Sequence, residues 1–475
     1  MKISKTVKDF FVVSVGNILA LFSNILIGFA LPIILNVENY GYYKIYTLYI
    51  SYTGLLHLGF VDGVLLMFAG KDYNKLDQEK FRLYTRFFII FELCISGIGI
   101  LWTSLFLRGH IRTIILLVFL NLIWSNITLY FQYVSQATSR FGELATRKTI
   151  NAILSTVVVV VLALIWKLDP SSRILSCDSY IVLSQLVSIC LIGWYVFTYR
   201  DIVIGKRAKF SDEKDVLIEI FKKGFVLTVA YEVSRLVLVM DRQFVSTLFD
   251  IETYAKYAFA YNILSCVTAL ITGISTVMLP KLKVMSIEEA MNFFPKGMAL
   301  VGCIVCFAQL GYYPIGNIIT WMLPQYTQSL VYFRIIFPVL ALTSCITIIV
   351  FTFYKIIDKC NIFFGICVIA LAVSFFTNLV AYLFWKTPEA ISWASFVSTI
   401  FWYLVSVFYL WKIYKVKWVK NFVYAILMIG TFYITTAVIS NEMISITLYL
   451  VAFVLLTMLF YRNDEWKKLR GRNLK

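Results

Sequence analysis

The segment YEVSRLVLVMDRQ, residues 231–243, carries charged side chains at spacings suited to binding an anion. Arg235 and Arg242 are seven residues apart, so on a helix they share a face to within about 20°. Guanidinium groups bind phosphate and carboxylate oxygens in pairs, so this face predicts a site for a phosphate or an acidic sugar. Glu232 lies on the same side and is included in the predicted site. The alternative is an internal Glu232–Arg235 pair, with Arg242 extending toward water.

Three further polar residues are predicted to contact the same ligand. Asn17 and Asn24 are seven residues apart on one face of an apolar run and can bind sugar hydroxyls, although contacts between helices are the alternative use. Arg334 lies near the start of another apolar run, where we expect it at a water interface.

Four ionisable side chains are candidates for carrying a proton or binding Na⁺. Charged groups inside apolar segments are energetically costly, so those that are present tend to have a function. The four are His57, Asp62, Glu92 and Asp241. For His57 the alternative is a neutral, hydrogen-bonded core histidine.

Other chemistry is poorly supported by the sequence. Cys303 and Cys306 form a C-x-x-C pair inside a long apolar stretch, with no second pair and no basic neighbour to activate a thiol. His57 and His110 are the only histidines, too few for a histidine-based metal site. No nucleotide-binding loop is found, which argues against direct use of ATP. The sequence predicts no metal, no cofactor and no enzymatic activity.

Composition determines the setting of these residues. The chain has 475 residues, of which 60% are hydrophobic and 15% charged, and its mean hydropathy is +0.82. A soluble core of this size cannot hold that much apolar surface, so we predict an all-α integral membrane protein.

Fourteen apolar segments are long enough to cross a bilayer as helices, which need roughly 20 residues. They are continuously apolar, whereas the strands of a membrane barrel would be short and alternating. The first is expected to remain as a span, because it exceeds a secretory signal and lacks its cleavage site. The predicted spans are about 10–35, 43–69, 85–106, 113–135, 148–167, 178–199, 224–248, 253–279, 297–322, 329–354, 360–385, 388–411, 420–439 and 443–461.

The basic residues predict orientation, because cytoplasmic loops are enriched in Lys and Arg. With a cytoplasmic N-terminus, most of the 43 basic residues fall in inside segments. The net charge of +17 therefore reflects topology and not a nucleic-acid surface. An even number of spans also places the C-terminus inside. The outside segments hold Lys44, Arg108, Arg112, Lys167, Arg173, Lys256 and Lys386.

A short phrase occurs twice and predicts an internal duplication. VENYGYY at 37–43 is followed about half a chain later by IETYAKY at 251–257, and both follow an odd-numbered span. We expect the tyrosines of both copies at the outer water interface. The chain then divides into two six-helix lobes related by a pseudo-two-fold axis, with two extra C-terminal helices. Chance similarity of two interfacial turns is the alternative.

The predicted domains are a first lobe at 1–200, a cytoplasmic amphipathic linker at 201–223, a second lobe at 224–412 and a C-terminal pair with a basic tail at 413–475. In the linker, Ser211 is expected to cap a helix whose apolar face, Val216, Leu217, Ile220 and Phe221, rests on the membrane surface.

Several of these segments resemble the bacterial lipid-linked polysaccharide flippases of the multidrug/oligosaccharidyl-lipid/polysaccharide exporter superfamily. The resemblance covers most of the chain at the level of pattern. One position departs from it, because members often carry Arg where this chain has Met67. The similar segments are LPIILNVENYGYY (31–43), GFVDGVLLMFAGKDY (59–73), YFQYVSQATSRFGELA (130–145), MDRQFVSTLFDIETYAKYAFAYNIL (240–264) and FYKIIDK (353–359).

The resemblance implies a flippase in the bacterial cytoplasmic (inner) membrane. It would carry undecaprenyl-pyrophosphate-linked oligosaccharide repeat units to the outer leaflet by alternating access, for O-antigen or capsule synthesis by polysaccharide polymerase machinery. Coupling to H⁺ or Na⁺ would fit the ionisable residues. One alternative is a cation-coupled multidrug exporter of the same superfamily. The other, a polysaccharide polymerase or ligase, would need a large outer loop, whereas the longest outside loop is about ten residues.

Overall fold

The computed structural model describes residues 5–283 and 287–461, with side chains described for 16–268 and 287–461. Over these ranges the regular elements are helices joined by short turns. Helices satisfy every backbone donor and acceptor within one segment, which an apolar chain in lipid requires.

The chain divides into two compact units, residues 1–232 and 233–475, and the division falls inside one long helix. That helix, α8, is shared by the two units. The first unit also contains α1 Lys5–Ile34, α2 Val37–Ile50, α3 Phe60–Phe68, α4 Gln78–Phe106, α5 Gly109–Ala137, α6 Phe141–Leu168 and α7 Cys177–Thr198, and is followed by α8 Phe210–Leu248.

The second unit continues from α8 through nine more helices and contains a π-helical turn, Cys345–Val350, between α12 and α13. Pro338 lies inside α12, about two turns before that widened segment. The helices are α9 Ile251–Lys283, α10 Ile287–Ala308, α11 Tyr312–Met322, α12 Ser329–Ser344, α13 Phe351–Ile356, α14 Cys360–Trp385, α15 Pro388–Tyr414, α16 Val419–Val438 and α17 Glu442–Tyr461.

Among the described residues, eleven helical segments are long and apolar enough to cross a membrane. The number rises to twelve if the pair Val37–His57 and Phe60–Phe68, bent by 55°, is one span. The charged helices α8 and α9 lie outside this set, although both coincide with predicted spans. The all-α membrane fold is therefore confirmed, and the count of fourteen stays a prediction.

The broken second span packs tightly against the first half of α8. Gly59 has φ +85°, a conformation that glycine adopts without strain. A Cβ on Gly224 would lie 1.8 Å from the Gly59 carbonyl oxygen, and one on Gly63 would lie 1.9 Å from the Ile220 carbonyl oxygen. Only hydrogen at these positions permits the backbones to approach so closely.

The apolar face predicted for the linker exists, but its environment differs from the prediction. Leu217 and Ile220 are buried in the aromatic core of the first unit, where Phe60 and Phe88 stack with ring centroids 5.0 Å apart. The expectation that this face rests on the membrane surface is therefore wrong. The predicted cap, Ser211, lies inside the first turn of α8 and donates to the Asp212 carboxylate.

The repeated phrase marks the start of a helix in each unit. The Asn36 Oδ1 atom accepts the Asn39 N–H at 2.8 Å, and the Asp250 Oδ1 atom accepts the Thr253 N–H at 2.9 Å. The bond from Thr253 lowers the pKa of Asp250. Of the four tyrosines expected at the water interface, Tyr40, Tyr254 and Tyr257 are buried core residues that follow a helix cap, so the expectation is wrong for these three, whereas Tyr43 is half-buried.

Candidate functional site

The second unit contains a cavity of about 380 Å³ whose wall is rich in hydroxyl groups. It is formed by the second half of α8, α9, α12 with its π turn, and α15. Its apolar wall residues include Val237 and Phe396, so the cavity combines polar and apolar surface. The hydroxyl-bearing residues are Tyr261, Ser265, Thr268, Thr343, Ser344, Thr347, Ser392, Ser395, Ser398 and Thr399.

Several of these hydroxyls donate to a carbonyl of their own helix. Thr268 donates to the Leu264 carbonyl, Thr347 to the Thr343 carbonyl and Thr399 to the Ser395 carbonyl, each at 2.8 Å. A hydroxyl that donates to its own helix keeps its lone pairs for another partner. The cavity therefore presents mainly acceptors, which suit a ligand with many O–H or N–H donors.

Arg242 provides a cation in this wall. Its Nη2 donates to the Leu238 carbonyl at 2.9 Å, and its guanidinium lies 4.6 Å from the centroid of the Tyr261 ring. Its Nε makes no hydrogen bond within the described part of the chain. The group is thus held in place, and its enclosed Nε is left without a partner among the described residues.

Asp241 lies beside Arg242 but is engaged by donors from the protein. One carboxylate oxygen accepts the Arg242 N–H at 2.7 Å, and the other accepts the phenols of Tyr257, at 2.8 Å, and Tyr261. The side chain is 3% exposed. For Asp241 to exchange a proton or cation, these phenol contacts would have to change.

The other predicted residues of α8 lie elsewhere. Arg235 is half-buried in the second unit, about two turns before Arg242. Glu232 belongs to the first unit and is 5% exposed. Its Oε1 lies 2.6 Å from the point that a Cβ on Gly54 would occupy. The seven-residue spacing indicates that two side chains leave α8 in similar directions. It does not indicate which of the two units packs against each turn of the helix.

His57 and Asp62 come together at the break in the second span. The His57 Nδ1 accepts the Gly59 N–H at 3.1 Å, and its Nε2 lies 3.9 Å from the nearer Asp62 oxygen. That oxygen also accepts the Thr228 hydroxyl of α8. His57 is 3% exposed, so it has the features of the hydrogen-bonded core histidine considered as the alternative.

Glu92 is fully buried between α4 and α5. Its Oε2 accepts the Asn126 amide at 3.0 Å, and its Oε1 has no hydrogen-bond partner among the described residues. A buried carboxyl group with an unsatisfied oxygen is unusual, because such a group loses its hydration without full compensation.

The remaining predicted contacts lie outside the cavity wall. The Asn17 Oδ1 accepts the Lys148 ammonium of α6 at 2.6 Å, which is a contact between helices, and Asn24 is exposed on α1. The Arg334 Nη1 reaches the Thr436 carbonyl in the last turn of α16 at 3.5 Å. A cation there compensates the negative end of that helix.

A second polar pocket, of about 590 Å³, lies in the first unit between the loop after α3 and the start of α6. Lys71 and Arg140 line it. The Arg140 guanidinium lies 4.6 Å from the Tyr73 ring centroid, and its Nη2 pairs with the Glu143 carboxylate. Its Nη1 and the Tyr73 hydroxyl have no hydrogen-bond partner in the described residues. Burial raises the pKa of Tyr73 to about 12, so the phenol remains a donor at neutral pH.

Met67, the departure from the family pattern, lines an adjoining pocket of about 350 Å³ that shares Lys71. Lys75 and Lys80 also line it, although the Lys80 ammonium is paired with Glu213 at 2.6 Å. Three lysines and two carboxylates, Asp77 and Glu213, therefore line the pocket that Met67 borders.

Sequence reasoning identified Arg242 and Asp241 but missed the hydroxyl groups around them. One signal was available: Ser392, Ser395, Ser398 and Thr399 follow helical spacing on α15 and share one face. The contributions of α9 and α12 depend on helix packing, which no local pattern reveals.

Comparison with known proteins identifies a matching protein family. Residues 6–285 match a family model described as "Polysaccharide biosynthesis protein". Among curated protein sequences, no match to this chain is found.

Three solved structures illustrate the structural likeness. The lipid II flippase MurJ, in an inward closed conformation, has a TM-score of 0.68 at 14% identity, covering 96% of this chain and 99% of that one. A multidrug resistance MATE family transporter in an inward-facing conformation has a TM-score of 0.57 at 13% identity, covering 89% of this chain and 100% of that one. A MOP superfamily transporter from Pyrococcus furiosus has a TM-score of 0.57 at 10% identity, covering 90% of this chain and 96% of that one.

Proposed function

The chain belongs to the polysaccharide biosynthesis protein family, and from that membership we propose that it moves lipid-linked oligosaccharides across a membrane. The cargo is an undecaprenyl-pyrophosphate-linked repeat unit, carried from the cytoplasmic to the outer leaflet for O-antigen or capsule synthesis. Similarity of fold to a structure titled as a lipid II flippase supports a lipid cargo. No covalent bond is made or broken in this process.

The observation that carries the proposal is the hydroxyl-rich cavity with Arg242 in its wall. Sugar hydroxyls would donate to the outward-facing lone pairs of Thr268, Thr347 and Thr399. The guanidinium of Arg242 would bind an acidic sugar or a phosphate oxygen.

The same wall argues against the multidrug exporter alternative. A lipophilic cation needs an available carboxylate or exposed aromatic faces. The Asp241 carboxylate already accepts hydrogen bonds from two phenol hydroxyls, and the Arg242 guanidinium lies 4.6 Å from the centroid of the Tyr261 ring. A cationic drug would therefore meet a guanidinium and have no free carboxylate to pair with at this position.

The pocket of Lys71 and Arg140 is assigned to the first encounter with the pyrophosphate. Positive-inside orientation places the loops that form it, after the second and fourth predicted spans, on the cytoplasmic side. Lys71 and Arg140 there would bind the head group before it enters the cavity, with Arg140 exchanging its ion pair with Glu143 for a phosphate oxygen.

Transport would proceed by alternating access in the bacterial cytoplasmic membrane, with both termini inside and a polysaccharide polymerase using the product. Asp62, His57, Glu92 and Asp241 are the candidate sites for H⁺ or Na⁺ coupling. The substrate contacts are Arg242 with Arg235, Glu232, Asn17, Asn24 and Arg334 as further candidates.

Arg242→Gln tests this assignment in proteoliposomes containing a labelled lipid-linked oligosaccharide. Loss of a charge-assisted contact of about 1.5–3 kcal/mol should slow flipping by roughly 10- to 100-fold. The matched control is Arg112→Gln, an exposed arginine near the start of α5, which should flip at the wild-type rate. Equal rates for both variants, in protein that elutes as wild type, would remove Arg242 from the pathway.

A further inference from the structure

Three side chains that commonly ligate metals converge where α5 and α7 begin, outside the sites described above. The His110 Nε2 lies 3.0 Å from each oxygen of Asp178 and 3.8 Å from the Cys177 Sγ. The Cys177 Sγ lies 3.4 Å from the nearer Asp178 oxygen. One nitrogen, one sulfur and one oxygen therefore form a compact triangle.

The triangle has the dimensions of one face of a tetrahedral zinc site. Zinc bonds of about 2.05 Å to nitrogen, 2.3 Å to sulfur and 2.1 Å to oxygen give ligand separations of about 3.6 Å for N–S, 3.4 Å for N–O and 3.6 Å for S–O. The separations among His110, Cys177 and Asp178 are 3.8, 3.0 and 3.4 Å. Movements of a few tenths of an ångström would admit the ion.

The geometry differs from that of a catalytic cysteine relay. In such a relay, the histidine accepts the thiol proton with one ring nitrogen and is oriented by a carboxylate at the other. Here Cys177 and Asp178 both approach the same nitrogen, His110 Nε2. The three candidate ligand atoms therefore lie close to one another, as the ligands of one metal ion do.

Neighbouring residues hold the three groups in place. The Asn39 Oδ1 accepts the Cys177 N–H at 3.1 Å, and the Tyr42 ring lies against His110 with centroids 4.2 Å apart. Both belong to the phrase VENYGYY at the start of α2. Outer contacts of this kind fix ligand orientation in metal sites.

The partial exposure of His110 and Asp178 would allow an ion to enter the site and would leave one coordination position open to water. Cys177 is fully buried, whereas the side chains of His110 and Asp178 are 31% and 38% exposed. A thiolate and a carboxylate would neutralise a divalent ion, and the sulfur–nitrogen pair favours Zn²⁺ over Mg²⁺ or Ca²⁺.

We propose that His110, Cys177 and Asp178 bind one Zn²⁺ ion, with water in the fourth position. The ion joins the starts of α5 and α7 and, through Asn39 and Tyr42, the start of α2. Histidine counting does not reveal this site, because two of its ligands are not histidines and lie 67 and 68 residues away from His110.

Cobalt titration of the reduced, full-length protein in detergent tests the site. Tetrahedral Co²⁺ bound by a thiolate gives a sulfur-to-cobalt charge-transfer absorption and intense visible bands, and Zn²⁺ should abolish both stoichiometrically. Cys177→Ser should remove the charge-transfer absorption. Cys190→Ser, an exposed cysteine further along α7, is the matched control and should retain it.

Asp178→Asn and His110→Gln keep the thiol and should weaken cobalt binding by at least about tenfold. They keep the test decisive if Cys177→Ser fails to fold. The proposal is overturned if the wild-type protein shows no thiolate–cobalt absorption, or if Asp178→Asn and His110→Gln bind cobalt as tightly as wild type does. None of these outcomes depends on the flippase activity.

Discussion

At the residue scale, the sequence singled out Arg242 and Asp241, which both line the cavity, but not the residues around them. Periodicity places both in α8, and the low tolerance of apolar segments for charge singles them out. The two phenols that bond Asp241 belong to Tyr257 and Tyr261 of α9; Tyr257 was expected at an interface, and Tyr261 was not considered. These contacts depend on the packing of α9 against α8, which the local sequence does not reveal.

Arg334 and Asn17 illustrate the same limit. Each is polar within a predicted span, and the sequence offers two uses for it. In the structure the Arg334 guanidinium reaches the Thr436 carbonyl and Asn17 bonds Lys148, so both make contacts between helices of their own unit. Whether they also contact the cargo stays a prediction.

The Glu92–Asn126 pair yields a stability prediction. Asn126→Leu removes the amide that bonds the buried carboxyl, at a cost of about 1–3 kcal/mol, and should lower the melting temperature in detergent. Replacing both residues, as Glu92→Met with Asn126→Leu, should recover much of the loss because no buried polar group is left unpaired.

Asn24→Leu on the exposed face of α1 is the control for that experiment and should change the melting temperature little. If the double variant is no more stable than Asn126→Leu alone, the carboxyl of Glu92 is not what makes the single substitution costly.

At the element scale, the helices were predictable and their interruptions were not. Each of the fourteen predicted spans coincides with helical segments. The helix is interrupted from Thr53 to Gly59 and widened at the π turn after Pro338. In the sequence, only a glycine or a proline marks each of these interruptions. The linker face was recognised from its pattern, but a pattern cannot tell a protein core from a membrane surface.

The crossing of α3 and α8 gives an element-scale prediction. In Gly224→Ala the new methyl group would meet the Gly59 carbonyl oxygen at 1.8 Å, so the backbones must separate. We expect a large loss of stability, seen as a lower melting temperature or poor recovery of monodisperse protein.

Gly193→Ala is the matched control, since it lies within α7 and its added Cβ meets no described atom within 4 Å. Helix propensity predicts a gain of about 1 kcal/mol there. Similar behaviour of the two variants would contradict the close packing of α3 and α8.

At the scale of the whole molecule, composition and family motifs determined the class of protein correctly. The family match over residues 6–285 confirms the resemblance drawn from the first-span and second-span motifs. The structure has two compact units that meet in sequence at Glu232 within α8, whereas the predicted lobes end at 200 and begin at 224. The six-plus-six duplication, the orientation and the cargo stay predictions.

The most direct test of the account is to offer the wild-type protein two classes of cargo in proteoliposomes. One is a labelled undecaprenyl-pyrophosphate-linked oligosaccharide, and the other is a set of lipophilic organic cations. The hydroxyl-rich wall and Arg242 predict that the oligosaccharide lipid is translocated well above the rate in protein-free vesicles and that the cations are not. Export of the cations with no movement of the lipid-linked sugar would contradict the account.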